Sequence, residues 1–296
     1  MLSDQLQLDG VADWPNRDAS RFVEAGALRF HVQVMGSGPA LLLLHGTGAA
    51  THSWRGLAPL LAEHFTVIAP DLPGHGFTRG RPAGGLTMPA MAGAVGALMR
   101  SLAVAPALIV GHSAGAAIAS RMAIDGLAAP AGVIGLNPAM MPFPGIAARL
   151  FPGLARLLFV NPFAPHFFAG LARQPGEVKR FLGRSTGSRI DQAGLDHYAR
   201  LFGTAAHVAG AITMMADWDL DALARDLPRL AVPLLLLHGA GDAMVPVSAA
   251  RDAAALVPGA RVDVLPGLGH LAHEEDPALV ARHILAFAEQ TGARAP

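Results

Sequence analysis

A serine hydroxyl is a weak nucleophile near neutral pH unless a histidine removes its proton and a carboxylate steadies that histidine. Ser113, His270 and Asp242 are residues of these three types, and each sits where a chain turns sharply. Ser113 is the centre of Gly111-His112-Ser113-Ala114-Gly115. The apolar run Pro106–Val110 precedes this stretch, and the small-residue run Ala114–Ala123 follows it. Strand, Gly-x-Ser-x-Gly turn and helix in that order lift a serine Oγ clear of a sheet. The two flanking glycines let strand and helix pass at close range. Asp242 lies in Gly239-Ala-Gly-Asp242 after the apolar run Pro233–Leu237, and His270 lies in Leu265-Pro-Gly-Leu-Gly-His270 after Ala260–Leu265. The chain order Ser, Asp, His is one of the known orders of a nucleophile, its orienting acid and its base.

Two backbone N–H groups are needed to hold the oxyanion of an acyl transfer. Ala114, directly after the serine and at a helix start, supplies one. Thr47, in His45-Gly-Thr-Gly48 after the apolar run Ala40–Leu44, is the candidate for the other. Each of these positions also has a plainer reading. Asp242 is placed to cap a helix beginning near Pro246, and His45–Gly48 has the composition of a simple turn. His112 is a candidate for the pocket wall. Asp71-Leu-Pro-Gly-His-Gly76 reads as a structural turn, and Asn137 cannot act as the acid. His273 reads as a packing residue. His270-Leu-Ala-His273-Glu274 lacks the His-Glu-x-x-His order of zinc proteases, so no metal site is expected.

The elements that would position these residues alternate short apolar strands with longer helical patterns. A hairpin is expected over Arg21–Met35, turning at Glu24-Ala-Gly26, and strands over Ala40–Leu44, Phe65–Ala69, Pro106–Val110, Gly132–Leu136, Pro233–Leu237 and Ala260–Leu265. Helices are expected over His52–His64, Thr87–Leu102, Ala114–Ala123, Ser248–Leu256 and Leu271–Gln290. This rhythm predicts an α/β fold whose central sheet is mostly parallel and has helices on both faces. It breaks between Asn137 and Leu230, where helical patterns carry eight of the chain's 13 phenylalanines. The expected organisation is therefore a core of residues 1–136 and 231–296 with a helical cap, 137–230, inserted into it. Met140, Met141, Phe143 and Phe163 of that cap are candidate substrate-binding residues, the other reading being that they form the cap's own core.

Composition removes several function classes. Twenty-two basic and 22 acidic residues balance, with no local run of Lys or Arg, so a nucleic-acid partner is not expected. The chain has no cysteine, which excludes disulfides, thiolate catalysis and cysteine metal sites. The polar N-terminus is not a signal peptide, and no run of about 20 apolar residues offers a membrane span. A cytoplasmic protein needing no cofactor is expected. The aromatic run Phe151–Phe168 has too few basic neighbours to favour a membrane surface.

Taken together, His45–Gly48, Asp71–Gly76, Gly111–Gly115 and the Asp242/His270 pair resemble the α/β-hydrolase superfamily, over about Arg21 to Phe287. The dehalogenase and epoxide hydrolase branches use an aspartate where Ser113 stands, so the serine branch is implied. A narrower resemblance rests on Asp13-Trp-Pro-Asn-Arg17, Ser20–Val23, His31–Val34, His45–Arg55 and Met214-Met-Ala-Asp-Trp-Asp-Leu220. These look like the magnesium-chelatase accessory proteins of bacteriochlorophyll biosynthesis. That resemblance implies a role beside magnesium insertion into protoporphyrin, with a tetrapyrrole ligand and chelatase subunits as partners. Two functions follow: a serine hydrolase acting on an ester, thioester or related bond of a small apolar acyl substrate, or a tetrapyrrole-binding accessory protein.

Overall fold

Eight strands form one sheet in a computed structural model that describes residues 6–142, 161 and 163–294. They are β1 (Ser20–Ala25), β2 (Leu28–Met35), β3 (Ala40–Leu44), β4 (Thr66–Pro70), β5 (Leu108–His112), β6 (Gly132–Leu136), β7 (Leu234–Gly239) and β8 (Arg261–Leu265). Their spatial order is β1-β2-β4-β3-β5-β6-β7-β8. The β1/β2 and β2/β4 pairs are antiparallel and the remaining pairs parallel, as expected for an α/β fold. Chain order reverses on either side of β3, which lies between β4 and β5. A crevice opens at such a switch point beyond the carboxyl ends of the strands. The turns after β3 and β5, His45–Gly48 and Ser113–Gly115, meet there.

The central strands are apolar on both faces because both are covered. Leu42 and Leu44 belong to one core and Leu41 and Leu43 to the other; in β7, Leu234 and Leu236 alternate in the same way with Leu235 and Leu237. Three helices, α2 (Met88–Ser101), α3 (Ala114–Ile124) and a later helix over Val247–Leu256, build the first core. Helix α1 (Leu57–Ala62) and the last helix build the second. The alanines of α3 favour helix and keep it thin enough to lie against the sheet.

Two expected helices are divided. His52–His64 becomes a 3-10 turn, Thr51–Trp54, followed by α1. The final pattern splits into a short helix over Ala272–Glu275 and a long one over Pro277–Gln290. Pro277 cannot continue a helix but suits a helix start. The Asp276 side chain caps the new helix by accepting from the Leu279 amide at 2.9 Å.

Between β6 and β7 the described residues carry five helices and no strand: α4 (Ala164–Ala172), α5 (Glu177–Thr186), α6 (Gln192–Phe202), α7 (Ala205–Asp217) and α8 (Leu220–Asp226). The following helices are then α9 (Val247–Leu256), α10 (Ala272–Glu275) and α11 (Pro277–Gln290).

Candidate active site

Ser113 occupies φ 50°, ψ −116°, a left-handed geometry that side chains rarely adopt. Three bonds hold it there. Its amide donates to the Leu136 carbonyl at 2.9 Å, and its carbonyl accepts from Ala116 and Ala139, both at 3.1 Å. The flanking glycines are required by space: a Cβ on Gly111 would lie 2.3 Å from the Gly115 carbonyl, and one on Gly115 would lie 2.0 Å from the Leu44 carbonyl oxygen. Helix α3 thus crosses β3 and β5 at backbone distance, with Ser113 at its N-terminus.

Asp242 and His270 meet although 28 residues separate them. The His270 Nδ1–H donates to Asp242 Oδ2 at 2.8 Å, which leaves Nε2 as the acceptor nitrogen of a neutral ring. Both side chains are almost wholly buried. Asp242 does not cap the helix after Pro246, which has no side-chain cap; its Oδ1 instead closes the loop before it, accepting from the Met244 and Val245 amides at 2.8 and 2.9 Å. The two oxygens divide the work, one for the loop and one for the histidine. Burial pushes the Asp242 pKa up, but the hydrogen bond and charge of His270, the Val245 amide and Asn137 outweigh it, and the net effect is downward.

Asn137 is a residue that sequence reasoning set aside. Its Nδ2 donates to Asp242 Oδ2 at 2.8 Å and to the Gly269 carbonyl at 3.2 Å, so it ties the Asp242 side chain to the loop that carries His270. The signal was its place at the carboxyl end of β6, beside the serine strand; ruling it out as an acid ignored what an amide donor does there.

His112 is the residue expected at the pocket wall. It is buried, and its Nε2–H donates to the His270 carbonyl at 2.9 Å, so it supports the His270 backbone. Its ring lies 4.4 Å from that of His273, which is fully buried and also packs on Trp54. Burial pushes the His112 pKa down to about 3, so it stays neutral. His112 also dictates Gly46, where a Cβ would meet His112 Nδ1 at 2.8 Å and Ser113 Cβ at 3.0 Å. The His45–Gly48 turn therefore touches the serine. Its own histidine is locked: His45 Nδ1–H donates to the Gly46 carbonyl and Nε2 accepts from the Leu72 amide.

The structure places Thr47 half-buried on that turn, its hydroxyl donating to Met214 Sδ at 3.4 Å, while the Ala114 amide opens α3. The opening N–H groups of a helix have no intrahelical acceptor and favour negative charge. Among the described residues, Ser113 Oγ makes no hydrogen bond with His270 Nε2.

The expected pocket residues separate. Met140 is buried in the core beside α3, its Sδ 3.9 Å from Ser120 Oγ, and Met141 packs half-buried against the same core. Phe163 is 77% exposed. Phe143 lies outside the described residues. Apolar composition alone does not separate core from pocket, because the same side chains serve both.

The helices between β6 and β7 also brace His270. The His270 amide donates to the Thr186 carbonyl at 2.9 Å, and the Leu271 amide to Ser188 Oγ at 2.8 Å. Arg55 bridges Glu274 to Asp191 on the insertion, and the Tyr198 hydroxyl donates to Glu274 at 2.7 Å. Among the described residues no cluster of His, Asp and Glu could hold a metal ion, and no helix is long and apolar enough to cross a membrane.

Residues 39–277 match a family model described as the alpha/beta hydrolase fold. The chain is 41% identical over 268 residues to the magnesium-chelatase 30 kDa subunit of Rhodobacter capsulatus, covering 89% of this chain and 92% of that protein. It is 32% identical over 263 residues to the pimeloyl-(acyl-carrier protein) methyl ester esterase of Aromatoleum aromaticum, covering 83% of this chain and 98% of that one. A thermophilic esterase from Thermogutta terrifontis matches in structure with a TM-score of 0.73, over 92% of this chain and 98% of its own. At 23% identity, that likeness is one of fold alone.

Proposed function

Because the chain belongs to the alpha/beta hydrolase fold family, we propose that it is a serine hydrolase cleaving an ester, thioester or related acyl bond of an apolar substrate. The observation that carries this reading is the 2.8 Å bond from His270 to a buried Asp242, at the rim where the strained Ser113 turn emerges. Ser113 Oγ attacks the carbonyl carbon while its proton passes to His270 Nε2. Asp242 holds the ring by Nδ1 and stabilises the imidazolium that forms. The oxyanion is held by the Thr47 and Ala114 amides, each worth roughly 3 kcal/mol in the transition state. His270 then delivers the proton to the departing alcohol or thiol. Water, deprotonated by the same ring, releases the acid and restores Ser113. On this reading the Oγ to Nε2 hydrogen bond forms when substrate enters, since catalytic hydrogen bonds are often long at unliganded sites.

Fluorophosphonate labelling and p-nitrophenyl ester hydrolysis test this directly. Wild type is expected to label and turn over. Ser113→Ala should lose labelling and about 10⁴-fold or more in kcat, with its fold unchanged by circular dichroism. Undiminished turnover in that variant would sink the proposal.

A second reading rests on the likeness to the magnesium-chelatase 30 kDa subunit: a tetrapyrrole-binding accessory role in association with chelatase subunits. The two are compatible if a tetrapyrrole ester is the substrate. Quenching of the three tryptophans by micromolar protoporphyrin is expected on this reading, and its absence removes it.

A further inference from the structure

His207, near the start of α7, is buried and joins two loops that follow different strands. The Gly76 amide donates to its Nδ1 at 3.1 Å, and its Nε2–H donates to the Gly48 carbonyl at 2.9 Å. This pairing allows a single protonation state, the neutral ring with hydrogen on Nε2. A cation would turn a second N–H against the Gly76 amide. The other tautomer would do the same and also face a lone pair toward the Gly48 oxygen.

The turn that receives this bond is closed at its start by the Ala49 amide donating to the Gly46 carbonyl at 3.1 Å, and the His207 bond fixes its Gly48 carbonyl. Gly48 has φ +78° and no side chain, and it directly follows Thr47. Two turns further along the same helix, Met214 accepts the Thr47 hydroxyl. Positions seven apart share a helix face, so α7 grips the turn at two points. The helix itself is seated as closely as backbones permit, since a Cβ on Gly210 would lie 1.9 Å from the Gly74 carbonyl oxygen.

We propose that His207 is a positioning residue for catalysis: it fixes the turn that carries the Thr47 amide, so that this N–H faces the oxyanion formed at Ser113. Helix α7 then belongs to the catalytic frame and not to a cover that moves independently of it. His207 touches neither substrate nor the reacting atoms. The proposal rests on the serine-hydrolase reading.

Wild type, His207→Ala, His207→Gln and His207→Asn are compared by fluorophosphonate labelling rate and by kcat and KM for p-nitrophenyl butyrate. A glutamine amide nitrogen reaches the place of Nε2 and restores the donor to Gly48; an asparagine amide reaches only the place of Nδ1. His207→Ala is expected to lower kcat on the order of 10- to 100-fold with KM changed less than about threefold, and labelling should slow in parallel. Glutamine should recover more kcat than asparagine at equal KM and equal urea midpoint, whereas a purely structural histidine would move kcat only together with stability; the contrast remains readable if the alanine variant fails to fold. In wild type, ¹⁵N shifts of this ring should report the Nε2–H tautomer whether or not any ester is hydrolysed. Variants that label and turn over at the wild-type rate overturn the role of His207 while leaving the hydrolase reading intact. An unlabelled wild type overturns both.

Discussion

At Ser113 the backbone carries strain that the rest of the molecule must hold in place. A left-handed geometry in a residue other than glycine costs of order 1–3 kcal/mol and persists only where surrounding bonds over-determine it. Here the bonds to Leu136, Ala116 and Ala139 do so. Replacing the side chain with hydrogen should release most of that strain. Ser113→Gly is therefore expected to be more stable than wild type by about 1 kcal/mol, after the entropy glycine loses on folding, and inert to fluorophosphonate. Calorimetry checks this; a lower melting temperature would show that the turn is relaxed. Asn137, at φ 44°, shows a milder solution, because asparagine tolerates this region and its amide is used to brace Asp242.

Among the elements, the crossing of α3 over β3 and β5 sets the height at which the serine stands. Alanine in place of Gly115 must push the helix away from the Leu44 carbonyl, 2.0 Å from the added carbon. Gly115→Ala should cost about 3 kcal/mol in urea unfolding and remove activity together with stability. A fully stable, active variant would mean that helix and strand are not locked. The helical insertion acts at the same scale. Thr186 and Ser188 hold the backbone of His270 and Leu271, while His207 and Met214 hold the turn bearing Thr47. His270 and the Thr47 turn are thus both steadied by the helices between β6 and β7.

Across the whole molecule, an unusual number of imidazoles are buried and neutral. Burial pushes His45 down to about 4 and His75, His112 and His207 down to about 3. Unfolding returns each to the ordinary value near 6.5. Below that pH the unfolded chain binds protons that the folded chain excludes, so acid favours unfolding. The stability is complete above about pH 7 and declines as pH falls, by about 1.4 kcal/mol per unit for each ring until its folded value is reached. Buried Asp71 adds to the trend at lower pH. Burial raises its pKa, but the His31 charge and hydrogen bond, helped by His45 and the Phe77 amide, leave it depressed, so its contribution is lost only in stronger acid. The melting temperature is expected to be highest above pH 7 and to fall steeply between pH 6 and 5. A flat profile down to pH 4.5 in a calorimetric series would contradict this account.

The residues by themselves determined the alternation of strand and helix, the eight-strand sheet with helices on both faces, and the Gly-x-Ser-x-Gly turn with its order of Ser, Asp and His. Those features are local: they depend on periodicity, on glycine where a side chain cannot fit, and on loops that follow apolar runs. The break in the last helix was legible too, in Asp276-Pro277, and was passed over. Only the tertiary structure decided that Asn137 braces Asp242, that His112 bonds the His270 backbone, that Met140 is buried beside α3, and that His207 reaches the turn after β3. Each of these depends on which atoms meet across more than 100 residues or on which side of a packed layer a side chain falls. A linear pattern of residue types carries neither, because a buried methionine or histidine obeys the same chemistry in a core, a pocket or a brace.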